Sequence, residues 1–282
     1  VSDYAGTADT NNITIGRNGS NINGAAADLT ISFENSAITL VYVDGTQGWK
    51  ATDTSNLNDI ALQPTYITAT GGTITESGNF KIHTFTGPGT FCVSVTGNPA
   101  GGPTNVDYMV VGGAGGAGGG EGTGGGGAGG FRESSGATSG CYTASPLGAG
   151  VSGLPVSVTG YPITVGGGGS GGPCASVRGN SGGNSTFSTI TSAGGGGGGG
   201  GGGNLPPVGD GNGGGSGGGG GGRANCGTKI GGTGNTPPVS PPQGQPGGNS
   251  TCSNTSPSVD SGGGGGGATV AGTNGTASST SG

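Results

Sequence analysis

Residues that could do chemistry are few, and they stand far apart. His83 is the single histidine in 282 residues. No second His and no carboxylate lies at motif spacing from it, so neither a nucleophile–base triad nor a metal site can be assembled around it. It reads as a strand surface residue. The five cysteines are Cys92, Cys141, Cys174, Cys226 and Cys252. Without a CxxC pair they do not suggest zinc. Cys92 falls in a strand pattern and reads as a small buried hydrophobe. The other four lie in glycine-rich sequence and could form two disulfides. The local pairing, Cys141–Cys174 with Cys226–Cys252, is one of three, and the odd count requires at least one free thiol. Sequons at Asn12, Asn18, Asn184, Asn249, Asn254 and Asn274 imply glycosylation only in a glycosylating host. Matches to nucleotide-binding glycine fingerprints recur, but none follows a strand and opens a helix as phosphate binding requires. Neither catalysis nor a cofactor is expected.

Charge narrows the partners. Seven Lys and Arg are scattered among 282 residues, with a formal net charge of −6. A nucleic-acid or anionic-membrane binder needs a basic stripe to displace counterions, so neither partner is expected. No apolar run approaches the roughly 20 residues of a membrane helix. No signal peptide is visible, and the chain begins in mid-pattern without an initiator Met, as a piece of something longer would.

The elements that must position any site are strands. In residues 1–66, Ile13 and Ile15 alternate with polar residues before the turn Asn18-Gly19. Leu29, Ile31 and Phe33 alternate again, then Ile38, Leu40 and Tyr42, and Asp44-Gly45 makes another turn before Trp49. Trp49 and Tyr42 read as closing the end of a small β-core, with sugar stacking as the other use of such rings. A sheet this small buries too little to be secure alone, which makes burial against copies of itself, as in a homotrimer, plausible. Residues 67–111 form a second, sandwich-like module. There Phe80, Ile82 and Thr84 face one way and Lys81, His83 and Phe85 the other, and Tyr108-Met109-Val110-Val111 runs directly into glycine.

From Gly112 to Gly282 the composition changes. Of the chain's residues 80 are Gly and 7% are charged, against about 7% Gly and roughly 25% charged on average. The run Gly194 to Gly203 lacks the collagen period. A solvated polyglycine segment would lose the most backbone entropy on ordering. Runs packed side by side as extended threefold helices could repay it, because bare backbones approach closely enough to exchange N–H···O and Cα–H···O bonds. The segmentation into runs suits that lattice, whereas a flexible linker needs none.

Particular phrases carry a resemblance. Asn11-Asn12-Ile13-Thr14-Ile15-Gly16-Arg17-Asn18-Gly19-Ser20-Asn21-Ile22-Asn23-Gly24 and its continuation Thr39 to Asp44 through Gln47-Gly48-Trp49 resemble a module of bacteriophage tail-fibre proteins. Phe80 to Phe91, Asp107 to Gly113, Gly127 to Glu133, Tyr161 to Gly166 and Gly182 to Phe187 look like the next module, as in aquatic phages. The resemblance covers most of residues 8–204. It implies all-β N-terminal modules and a domain of polyglycine II helices, with essentially no α-helix, whose loops bind a host receptor. After about residue 204, Pro206-Pro207, Pro237-Pro238 and Pro241-Pro242 depart from the pattern, so loops are not carried over position by position.

Binding residues concentrate on loops carried by rigid scaffolds. The larger groups in the variable segments are Phe131, Arg132, Tyr142, Leu147, Arg178, Leu205, Arg223 and Lys229; capping or spacing the glycine rows is their other use. The resulting expectation is a non-enzymatic, extracellular virion protein: a distal tail-fibre adhesin, homotrimeric, bound to other virion proteins. Its receptor would be a host surface glycan or outer-membrane protein. The alternative is a purely structural capsid-decorating or head-fibre protein, or a subunit of a bacterial surface filament.

Overall fold

A computed structural model describes residues 1–54, 60–62, 64–136, 147, 151–173, 177–201, 208–222, 227–251 and 261–276. The described residues are all-β, with short strands and no α-helix. No helix among them is long and apolar enough to cross a membrane. They fall into two compact units.

The first unit comprises Val1–Ala69, Val93–Asn105 and Pro155–Thr159. Its centre is an antiparallel sheet ordered β1 (Ile13–Ile15), β2 (Leu29–Ile31), β5 (Ile60–Leu62). Because β2 is the middle strand, all three of its residues are buried, Thr30 included. Leu29 and Ile31 join Ala8, Ile22 and Ile38 in the core, with Ile13, Ile15, Leu40 and Ala51 packed against it. The N-terminus is tied in by Asp3, whose carboxylate accepts the Ala8 and Asn35 N–H groups at 3.0 and 3.1 Å. Those bonds favour the charged form, Ala8's most of all, and hold the Asp3 carboxyl below its ordinary pKa.

A hairpin of β3 (Ile38–Asp44) and β4 (Gly48–Thr54) turns on Asp44, whose Oδ1 accepts the N–H groups of Thr46 and Gln47. Its inner end reaches the core, but its outer end does not. Trp49 and Tyr42 are 40% and 50% exposed, meeting edge to face at 5.5 Å. They do not close the core, which Ala8, Ile22, Leu29, Ile31 and Ile38 form without either ring.

The second unit comprises Thr70–Cys92, Val106–Leu154 and Gly160–Gly282. Strands within 67–111 find partners on both sides of Gly112. β7 (Thr73–Ser77) and β8 (Phe80–Thr84) form a hairpin that sets Phe80 and Ile82 on one face and Lys81 and His83 on the other. β9 (Gly89–Val95) pairs with β14 (Gly160–Thr164), and β11 (Met109–Val111) with β12 (Phe131–Glu133). β15 (Ser185–Phe187) and β16 (Ile190–Ser192) continue the sheet beyond β14. Phe91, Tyr161 and Phe187 cluster at centroid distances of 5.8 to 6.4 Å.

Beyond these strands the chain runs in extended rows, which bond to one another with a three-residue period. Gly195, Gly198 and Gly201 donate to the carbonyls of Gly113, Gly116 and Gly119, while Gly196 and Gly199 donate to Ser216 and Gly219. Row 216–222 is enclosed on six sides. It donates to rows 245–251 (Gln245, Gly248), 208–215 (Asn212, Gly209) and 122–130 (Gly125, Gly122). It accepts from rows 194–201 (Gly196, Gly199), 229–235 (Gly232) and 261–267 (Gly263, Gly266). No described glycine of rows 194–201 or 216–222 has a positive φ, so conformational freedom is not why glycine stands there. Close approach is the reason. A Cβ on Gly196 would overlap the carbonyl oxygen of Asn212, and one on Gly217 that of Gly232.

Candidate functional site

The direction of each row follows from its hydrogen-bond register, and the rows alternate. Rows 112–119, 166–172, 194–201, 216–222 and 245–251 run one way; rows 124–130, 177–184, 208–215, 229–235 and 261–267 return. All row ends therefore lie at two ends of the unit. The near end holds the strands: Gly112 donates to Gly130, Gly130 to Ala193, and Phe131 to Gln243.

The far end is where the outgoing rows stop. Gly119 donates to Val177 at 2.8 Å and accepts from Gly201 at 2.9 Å, and Gly200 donates to Val208. Gly222 donates to Gly122 at 2.7 Å, Ser250 to Lys229 at 2.8 Å, and Thr251 bridges Ser261. Thus Gly172, Gly201, Gly222 and Thr251, where described rows break off, share an end with Val177, Val208, Gly227 and Ser261, where they resume. Between those termini the sequence holds Cys174, Leu205, Arg223, Cys226 and Cys252, which lie outside the described residues. So do Cys141 and Tyr142. The two disulfides expected among the four cysteines therefore also lie outside the described residues.

The described candidates separate. Phe131 and Arg132 sit in β12 at the near end, half-buried, with Arg132 opposite Val110. They do not join the far-end group. Arg178 is at the far side but points into the rows: its Nε donates to the Asp210 carbonyl at 2.8 Å and its Nη1 to Asn212 Oδ1 at 2.7 Å. It belongs to a series at three-residue spacing. Ser181 Oγ accepts from Gly197 N–H at 3.4 Å, and Asn184 Oδ1 from Gly194 N–H at 2.9 Å. These side chains occupy the flank of row 194–201 that a sixth neighbouring row would otherwise cover. Lys229 is buried, at 7% exposure. Its methylenes lie where a Cβ on Gly209 would meet Cγ, Cδ and Cε at 2.9 to 3.0 Å, so the stem fills the gap beside that glycine.

Several sequence readings change. Cys92 is free and exposed, because Phe91 and Val93 on either side of it turn inward along β9. His83 is half-buried rather than on the surface. Its ring stands edge to face on Phe91 at 5.0 Å, and Nδ1 lies 2.8 Å from the Gly71 carbonyl. Sequence reasoning also missed Gln243, 1% exposed, which ties three segments together. Its Oε1 accepts Ala193 N–H and its Nε2 donates to the Pro237 carbonyl, both at 2.8 Å, while its own carbonyl accepts Phe131 N–H at 2.7 Å. A long polar side chain stranded in a Pro-rich segment was the available signal. Ser216, fully buried, donates to the Gly129 carbonyl at 2.7 Å.

Among the described residues no group of three or more His, Cys, Asp or Glu is placed to hold a metal ion. Searches of family models, curated proteins and solved structures return no match to this chain.

Proposed function

We propose that the glycine rows are polyglycine II helices and that the chain is a distal tail-fibre adhesin, non-catalytic and homotrimeric on a virion. One observation carries this reading: the outgoing rows break off, and the returning rows resume, at a single end. A lattice whose helices are bonded on up to six sides is stiff. Stiff scaffolds that gather variable connections at one end suit recognition. The connections carry side chains such as Leu205, Arg223 and Asp260, whereas the rows present mostly backbone.

The chemistry fits many weak contacts better than one deep pocket. With few charges on each copy, affinity would come from copy number, each copy raising the effective concentration of the next. The partner would be a repeating surface polymer or an abundant outer-membrane protein of the host.

The test replaces residues 202–207, 223–226 and 252–260, one segment at a time, with Gly-Ser segments of equal length in the assembled particle. Particle assembly should persist, while adsorption to host cells falls for at least one replacement. Adsorption unaffected by all three would overturn the adhesin reading and leave the structural alternative, a capsid decoration or surface-filament subunit.

A further inference from the structure

The rows are incompletely enclosed on one side, and the groups left open there are matched in kind and period. Because a row repeats every three residues, its N–H groups point in three directions about 120° apart. In row 112–119, Gly112, Gly115 and Gly118 donate to Gly130, Gly127 and Gly124, and Gly113, Gly116 and Gly119 to Gly183, Asn180 and Val177. The third direction belongs to Ala114 and Ala117, whose N–H groups have no partner among the described residues.

Row 166–172 borders the same opening. It is fixed to row 112–119 by the N–H groups of Gly169 and Gly172, which donate to Ala114 and Ala117. The carbonyls of Gly166, Gly169 and Gly172 have no partner among the described residues either. The threefold repeat aims them at the position the Ala114 and Ala117 N–H groups face. Two rows thus present donors and acceptors, each every third residue, to one empty lattice position.

The residue types keep that position clear. A Cβ on Gly168 or Gly171 would point into it, with nearest atoms the Ala114 oxygen at 3.7 Å and the Ala117 oxygen at 3.5 Å. Nothing in the described chain excludes a side chain there, unlike the interior rows. An outer row with no such demand looks different: in 271–276 glycine stands only at Gly272 and Gly275, which face the lattice, and the other positions carry Ala, Thr and Asn. The methyls of Ala114 and Ala117 do not obstruct the opening. Gly115 donates to Gly127 while its Cβ would meet Gly196, one position further round. By the same rotation the alanine methyls fall in the next position.

We infer that this opening is the seat of a glycine row from a second copy of the chain. The occupant must be extended, with glycine at positions three apart where it faces the seat. None of the segments outside the described residues (55–59, 63, 137–146, 148–150, 174–176, 202–207, 223–226, 252–260, 277–282) has glycines three apart. The same chain's rows do. The inference rests on the threefold reading of the rows; it shares self-association with the proposed fibre and is independent of receptor binding.

The experiment compares the full chain with G168V/G171V, which places branched side chains in the seat, and with T273V on the opposite outer row. Sedimentation should show self-association of the native chain and of T273V, weakened about 10-fold or more in G168V/G171V. Amide exchange at Ala114 and Ala117 should slow as the native chain associates and stay fast in the double variant. If the double variant melts below the native chain, Ala117→Pro, which removes one N–H donor, replaces it. A monomeric native chain, association unmoved by the variants, or exchange at Ala114 and Ala117 independent of association would overturn the inference. Adsorption to host cells is a separate readout, so failure here leaves the adhesin test standing.

Discussion

Replacing Gly219 by Ala tests the packing argument at its centre. A Cβ there would overlap the carbonyl oxygen of Gly263, whereas ordinary contact for a methyl begins near 3.4 Å. Row 261–267 would have to retreat by more than a hydrogen bond can stretch. The bonds from Gly263 to Gly220 and from Gly266 to Gly217, both 2.8 Å, would go with it. Overpacking costs about 1–3 kcal/mol and each buried group left unpaired a similar amount. The unfolded chain returns ~0.4–1 kcal/mol because Ala is less flexible than Gly. A net loss of about 3–6 kcal/mol is large against a total stability of roughly 5–15 kcal/mol. At ~2–4 °C per kcal/mol for a unit of this size, the melting temperature should fall by about 6–24 °C. The control is Gly167→Ala, where a Cβ meets nothing within 4 Å. It should match or exceed the native chain by up to ~1 kcal/mol. Calorimetry of the three proteins decides the matter: if Gly219→Ala melts with Gly167→Ala, the rows are not closed by backbone contact.

Other consequences can be read with simpler assays. Gln243→Ala strands the Ala193 N–H and the Pro237 carbonyl, and urea unfolding should show a loss of about 2–5 kcal/mol; a loss below ~1 kcal/mol would mean that water replaces the side chain. Asp3 has a folded pKa below its unfolded one, so its contribution is complete above the ordinary carboxylate range and disappears as pH falls through the lowered folded value. Asp3→Asn should therefore destabilise the first unit at neutral pH and flatten its acid-unfolding curve, and identical curves for the two proteins would exclude the assigned bonds. Trp49, the single tryptophan, is 40% exposed, so its fluorescence should be quenched by iodide in the dilute chain. Shielded emission in a monomer would place it in the core after all.

Composition and pattern by themselves determined the class of this protein. Alternation at Ile13, Ile15, Leu29 and Ile31 specifies strands because side chains alternate across a pleated backbone. The glycine runs exclude α-helix by propensity, and collagen by period. Even the three-residue period of the rows is legible once sought, in Val111, Ala114 and Ala117, or in Arg178, Ser181 and Asn184. Which run lies beside which was not legible, for a physical reason. Every glycine run offers the same donors, acceptors and absence of side chains, so local sequence cannot choose between neighbours. The strands at the near end and the connections decide instead, through groups such as Gln243 and Ser216 that anchor one row to another. Tertiary structure also decided the fate of the candidate residues. Arg178 and Lys229 look like free cations in sequence, yet one bonds the rows and the other fills the gap beside Gly209. Cys92 and Trp49 face out because the inward positions beside them were taken by Phe91, Val93 and Ile22. Burial depends on what arrives from elsewhere in the chain, and no local pattern records that.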